Sequence, residues 1–107
     1  MISTHILDTS NGKPAQDVAV KLEIRKNDEW VKVDENKTNA DGRIVFNCES
    51  VAGVYRLLFD IDPYFTKMKQ EHFFLKTPVI FQVKDTKRKY HIPLLLNPYG
   101  YSTYRGS

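Results

Sequence analysis

A single cysteine, Cys48, stands among 107 residues, so no disulfide can form within the chain and the fold must rest on packing or on association with further copies. That usage suits a reducing compartment. Long hydrophobic runs are missing too: nowhere do apolar residues approach the roughly 18 to 20 in succession that a spanning helix needs, and no membrane partner is expected. The opening residues Met1-Ile2-Ser3-Thr4-His5 lack a basic stretch followed by an apolar core, so the expected location is cytoplasmic, with a processed periplasmic form left open. Charge of one sign is scarce in excess, 16 basic against 13 acidic residues for a net +3. Its one concentration, Lys84–Lys89, carries no interleaved aromatics and reads as a solvated loop rather than a nucleic-acid track. None of the three histidines is paired with another histidine or a cysteine at a metal-ligand spacing, and no phosphate-binding glycine loop or serine elbow is present.

The chain does hold the apolar content of a packed domain, with 41% hydrophobic and 12% aromatic residues, and residues 1–107 read as a single domain. Apolar and polar residues alternate with the period of a half-buried strand at Val18, Val20, Leu22 and Ile24, again at Tyr55, Leu57 and Phe59, and again at Val79, Phe81 and Val83. Shorter candidates lie at 2–7, 30–33, 44–46, 90–96 and 99–104, which makes about eight strands. Turn chemistry separates them at Asn11-Gly12, Asn27-Asp28, Asn39-Ala40-Asp41-Gly42, Gly53 and Asn97-Pro98. One short helix fits at 62–69, where Asp62 and Pro63 precede good helix formers. The pattern is all-β, either two antiparallel sheets face to face or a closed barrel.

Strand phase places the histidines. Tyr90, Ile92, Leu94 and Leu96 share one face, which turns His91 outward with Pro93 and Leu95. Likewise Ile2, Thr4 and Ile6 oppose Ser3, His5 and Leu7. Apolar neighbours such as Leu95 on an outward face imply that something covers it. His72 reads as structural, Cys48 as a small buried residue, and Asn36-Lys37-Thr38 as an accidental glycosylation match. Arg43, after the Asn39–Gly42 turn, reads locally as the solvated start of a hairpin strand. The last residues, Tyr99 to Ser107, are aromatic and strand-like, where most chain ends are frayed and polar.

Taken together, three blocks resemble the 5-hydroxyisourate hydrolases of the transthyretin-like family. They are Thr4-His5-Ile6-Leu7-Asp8 with Gly12-Lys13-Pro14-Ala15; Thr38-Asn39-Ala40-Asp41-Gly42-Arg43; and Tyr90-His91-Ile92-Pro93-Leu94-Leu95-Leu96 with Tyr101-Ser102-Thr103-Tyr104-Arg105-Gly106-Ser107. They fall in the right order across essentially the whole chain. The final Tyr104-Arg105-Gly106-Ser107 is the block most specific to the enzymes, and Lys89 stands where many members have a further histidine.

The resemblance implies a transthyretin-like two-sheet sandwich of about eight strands with one short helix, assembled as a homotetramer, a dimer of dimers. It implies hydrolytic ring opening of 5-hydroxyisourate to 2-oxo-4-hydroxy-4-carboxy-5-ureidoimidazoline, on the path from urate to allantoin, with no metal or organic cofactor. His5, Arg43, His91 and Ser107 would line the catalytic site, and Tyr104 would bind substrate together with His5 and Arg43. The chemistry is coherent on its own terms. Opening a cyclic amide needs a base for water, a cation or donor for the oxyanion and an acid for the leaving nitrogen, which two imidazoles and a guanidinium supply. Which histidine takes the proton stays open. The competing class is a non-catalytic transthyretin-like carrier holding a small ligand between subunits, for which a mainly apolar lining would be expected.

Overall fold

The computed structural model describes residues 1–106. In chain order the elements are β1 (Ile2–Asp8), β2 (Lys13–Pro14), β3 (Ala19–Lys26), β4 (Glu29–Lys37), β5 (Arg43–Val45), β6 (Gly53–Asp60), α1 (Asp62–Lys67), β7 (Lys76–Val83), β8 (Tyr90–Asn97) and β9 (Gly100–Thr103). They form two separate sheets, which decides for the sandwich over the barrel, but the first is mixed rather than antiparallel because β1 and β8 run parallel. The first runs β2-β1-β8-β9, with β5 also pairing β1; the second runs β4-β3-β6-β7. The core lies between them, where Ile6, Leu94 and Leu96 meet Val20, Leu22, Leu57 and Phe59, all fully buried. Each such side chain contributes on the order of 1.5–3 kcal/mol relative to exposure.

Departures from the sequence expectation have local causes. Strand β4 extends well past Val33 to Lys37, because as an edge strand it keeps most of its residues exposed and so lacks clean alternation. Strand β7 begins at Lys76 and includes Pro78, which an edge position tolerates because the missing N–H breaks no ladder bond on the open side. Gly53 opens β6 instead of making a turn. Asn27 and Asp28 do make one, both at positive φ (52° and 63°), as the two-residue hairpin joining β3 to β4 requires. The Asn39–Gly42 turn closes no hairpin: it carries the chain from β4 in one sheet to β5 in the other. Cys48 is half-buried in a loop, and Pro93 is buried although it shares the outward phase of half-buried His91 and Leu95.

Buried Asp8 ends β1 and gathers the loop and the helix around it. Its carboxylate accepts from the Ser10 and Asn11 amides, the Ser10 hydroxyl, the Asn11 side-chain amide and the Tyr64 hydroxyl, at 2.6–3.1 Å. Burial pushes the carboxyl upward, yet the bonds from Asn11, Tyr64 and Ser10 outweigh it and leave the pKa below its ordinary value. His72 stacks on Phe65 and bonds the Asp62 carboxylate at 2.6 Å, tying α1 to the loop that follows.

Candidate active site

The outward face of the first sheet brings three of the expected side chains together. Parallel pairing of β1 with β8 sets Ser3 opposite His91 and His5 opposite Pro93. Antiparallel pairing of β1 with β5 sets His5 opposite Arg43. The two histidines therefore lie diagonally on neighbouring strands, with Arg43 across from His5 on the other side. Neither pairing could be read from the sequence, where these residues lie far apart.

The turn before Arg43 explains its placement. Asn39 Oδ1 accepts from the Asp41 and Arg43 amides at 2.9 and 3.0 Å, and Gly42 adopts φ +72°. The Gly42 carbonyl takes the Ile6 amide at 2.8 Å. A Cβ on Gly42 would fall 2.6 Å from the Ile6 carbonyl oxygen, so only glycine allows this turn to press against β1 and deliver Arg43 beside His5.

Electrostatics keep both imidazoles neutral near pH 7. Burial lowers the His5 pKa and the Arg43 cation lowers it further, partly offset by a hydrogen bond to the Asp41 backbone and by the Asp41 charge. Burial, Arg43 and then His5 lower the His91 pKa, with no opposing influence. His72 goes the other way, raised by the Gln70 carbonyl and by Asp62, as suits its structural contacts. Among the described residues no group of three or more His, Cys, Asp and Glu side chains is arranged to hold a metal ion.

The chain end returns to this face. Odd-numbered residues of β8 turn their backbone groups toward β9, as the Gly106 amide shows by donating to the His91 carbonyl at 2.7 Å. Even-numbered ones turn toward β1, as the Tyr90 amide shows by donating to Met1. Pro93 therefore lacks its N–H on the β9 side. The ladder between β8 and β9 stops after Leu94 and Thr103, the Thr103 hydroxyl bonds the Pro93 carbonyl, and pairing resumes only at His91 with Gly106.

Tyr104 and Arg105 lie in the interval. Within one chain Tyr104 does not join His5, Arg43 and His91. It lines a cleft of about 260 Å³ between the sheet edges, with Val79, Phe81, Tyr90, Ile92 and Arg105. Ser107 lies outside the described residues.

Two contacts escaped the sequence reading. The Ser3 hydroxyl lies 2.8 Å from His91 Nδ1. A Cβ on Gly106 would stand 2.7 Å from His91 Cδ2, so the chain end lies directly against the ring. The outward phase shared by Ser3 and His5 was the available signal for the first; the partner strand was not.

Known proteins with this pattern bear on the site. Residues 2–106 match the family described as HIUase/Transthyretin. The chain is 44% identical over 110 residues to the 5-hydroxyisourate hydrolase of Salmonella typhimurium, covering 100% of this chain and 81% of that protein. The solved 5-hydroxyisourate hydrolase of Klebsiella pneumoniae superposes with a TM-score of 0.87 at 36% identity, over 99% of this chain and 98% of that one. Sea bream transthyretin in complex with thyroxine superposes with a TM-score of 0.92 at 33% identity, over 98% and 93%. The backbone thus resembles an enzyme and a carrier alike, and side chains must separate the two.

Proposed function

The chain belongs to the HIUase/transthyretin family, and from that membership together with the outer-face cluster we infer that it is a hydrolase opening the ring of 5-hydroxyisourate. The product is 2-oxo-4-hydroxy-4-carboxy-5-ureidoimidazoline, within urate degradation. One observation carries the choice of enzyme over carrier: Arg43 and two histidines held neutral share one face, a set suited to moving protons and stabilising an oxyanion. Arg43 grips substrate oxygens with its planar fork, one imidazole takes a proton from water, and an imidazolium returns one to the leaving nitrogen.

Ser107 and Tyr104 complete the site in this proposal. Half-buried Leu7 and Leu95 flank the histidines on a face that, in one chain, stays open to water. Assembly as a homotetramer would cover them, exclude water from the site and bring Tyr104 of one subunit toward the face of another. A cytoplasmic setting belongs to the same proposal and suits a chain with one cysteine.

The test is the decay of freshly generated 5-hydroxyisourate with the uncatalysed rate subtracted. The enzyme accelerates it and yields one enantiomer of the product, because a chiral site accepts one hand of the hydroxyl-bearing carbon beside the carbonyl that it hydrolyses. Decay at the buffer rate would leave the carrier reading in its place.

A further inference from the structure

The hydroxyl of Ser3 faces the ring of His91 for a reason the fold makes explicit. Parallel register sets the two residues directly across from one another, both outward, and the Oγ to Nδ1 distance is 2.8 Å. The neighbouring hydroxyl, that of Thr4, points inward and donates to the Ile92 carbonyl at 2.6 Å, where it serves the buried junction of the same two strands. Ser3 has no such duty to the core. On the other side of the ring the Gly106 backbone closes in so tightly that a methyl there would collide with Cδ2. The imidazole is thus held by a hydrogen bond at Nδ1 and by backbone at Cδ2.

We propose that Ser3 is a positioning residue for His91: its hydroxyl occupies Nδ1, fixes the ring's orientation and leaves Nε2 as the nitrogen offered to substrate. The inference rests on the hydrolase reading above and extends it to a residue outside the catalytic set. A free imidazole exchanges its proton between two nitrogens and its ring between two flipped orientations, so only part of its population is ready to react. A hydroxyl can accept as well as donate, so what it fixes is the ring's orientation; in the resting base it accepts from Nδ1–H and leaves Nε2 free to take a proton. When Nε2 takes a proton from the attacking water, the cation keeps Nδ1–H donating to Ser3 Oγ. When Nε2 gives a proton to the leaving nitrogen, that bond stays in place. Proton count balances at Nε2 in either direction, and His5 and Arg43 are the charged or titratable groups that influence the ring.

The experiment uses the isosteric pair Ser3→Thr and Ser3→Val, both β-branched and equally suited to a strand, with Ser3→Ala alongside. Measured on the full-length protein are kcat, KM, thermal midpoint and the ¹⁵N resonances of the His91 ring. Ser3→Val and Ser3→Ala should lower kcat roughly tenfold with KM changed by less than about twofold, while Ser3→Thr restores turnover. The His91 nitrogens of Ser3→Thr should match wild type, and those of Ser3→Val should shift toward the averaged tautomers of a free imidazole. Equal turnover in the threonine and valine variants, or His91 resonances unchanged by valine, would overturn the proposal. A wild-type protein without hydrolase activity would instead remove the hydrolase reading, and the ¹⁵N comparison would still decide whether Ser3 sets the ring.

Discussion

The two sheets share one core and differ on their outer faces. On the second sheet the Arg56 guanidinium meets the Glu23 carboxylate at 2.7 Å and lies 4.6 Å over the Trp30 ring, so charge is matched by opposite charge and the cation is further held by an aromatic face. On the first sheet Arg43 stands with two neutral imidazoles, and among the described residues no carboxylate forms an ion pair with it. A compensated charge serves the fold. A cation left beside bases, with no ion-pair partner among the described residues, keeps its capacity for a ligand's oxygens.

The sharpest way to break this contrast is to remove the first face's groups. His5→Ala, His91→Asn and Arg43→Lys should each lower kcat/KM on the order of a hundredfold to ten-thousandfold with the thermal midpoint nearly unchanged, since lysine lacks the planar two-point grip. Deleting residues 104–107 should abolish turnover more completely than it lowers stability. Activity and melting measured side by side decide both, and near wild-type turnover in all three point variants would place the site elsewhere.

Next in size is a change that affects the fold and leaves the chemistry alone. Asp8→Ala strands several donors that now converge on one carboxylate and should cost on the order of 2–4 kcal/mol by denaturant titration. Because the Asp8 pKa is lowered in the fold, its contribution is present above the ordinary carboxylate value and is lost as pH falls through the lowered one. The variant's stability should accordingly depend less on acid than wild type does.

How much of this was legible in the sequence differs between the two kinds of feature. Alternation revealed the buried faces of β3 and β6 and the outward phase of His5 and His91, because a period of two is local. Pairing is not local. The Ser3 contact with His91 and that of His5 with Arg43 depend on which strands become neighbours, and 88 residues separate Ser3 from His91. The family resemblance supplied Arg43 where local reading gave only a turn and a solvated charge. Pro93 could have announced the interruption beside β9, since a proline must withhold its N–H from one neighbour, but which neighbour needed the register.

A smaller effect separates the faces by pH. His5 and His91 both have folded pKa values below 6.5, so both are neutral at pH 7. On the first face, kcat/KM should hold level from neutrality upward and fall as pH drops through apparent values below 6.5 that belong to the coupled pair, by up to about tenfold per pH unit for each proton. The contribution of His5 and His91 to stability follows the same sign, because in the unfolded chain these two take up protons first: it is full above 6.5 and declines below it, opposite to that of His72, whose pKa is raised in the fold. A rate already falling at pH 7 would contradict the neutral resting state.

The smallest expected effect tests the second face. Arg56 and Glu23 are mostly but not wholly shielded, with side-chain exposures of 24% and 10%, so their pair lies between a surface ion pair worth little and a buried one whose disruption is costly. Trp30 adds a cation–π contact on the order of 0.5–1 kcal/mol. A double-mutant cycle of Glu23→Gln and Arg56→Met should therefore return a coupling of about 1 kcal/mol in unfolding free energy. Both variants should keep kcat/KM within about twofold of wild type, because the sheet that carries them contributes only its inner side chains to the core beneath the histidines. If neutralising Arg56 slowed turnover tenfold at unchanged stability, charge compensation would no longer distinguish the two faces.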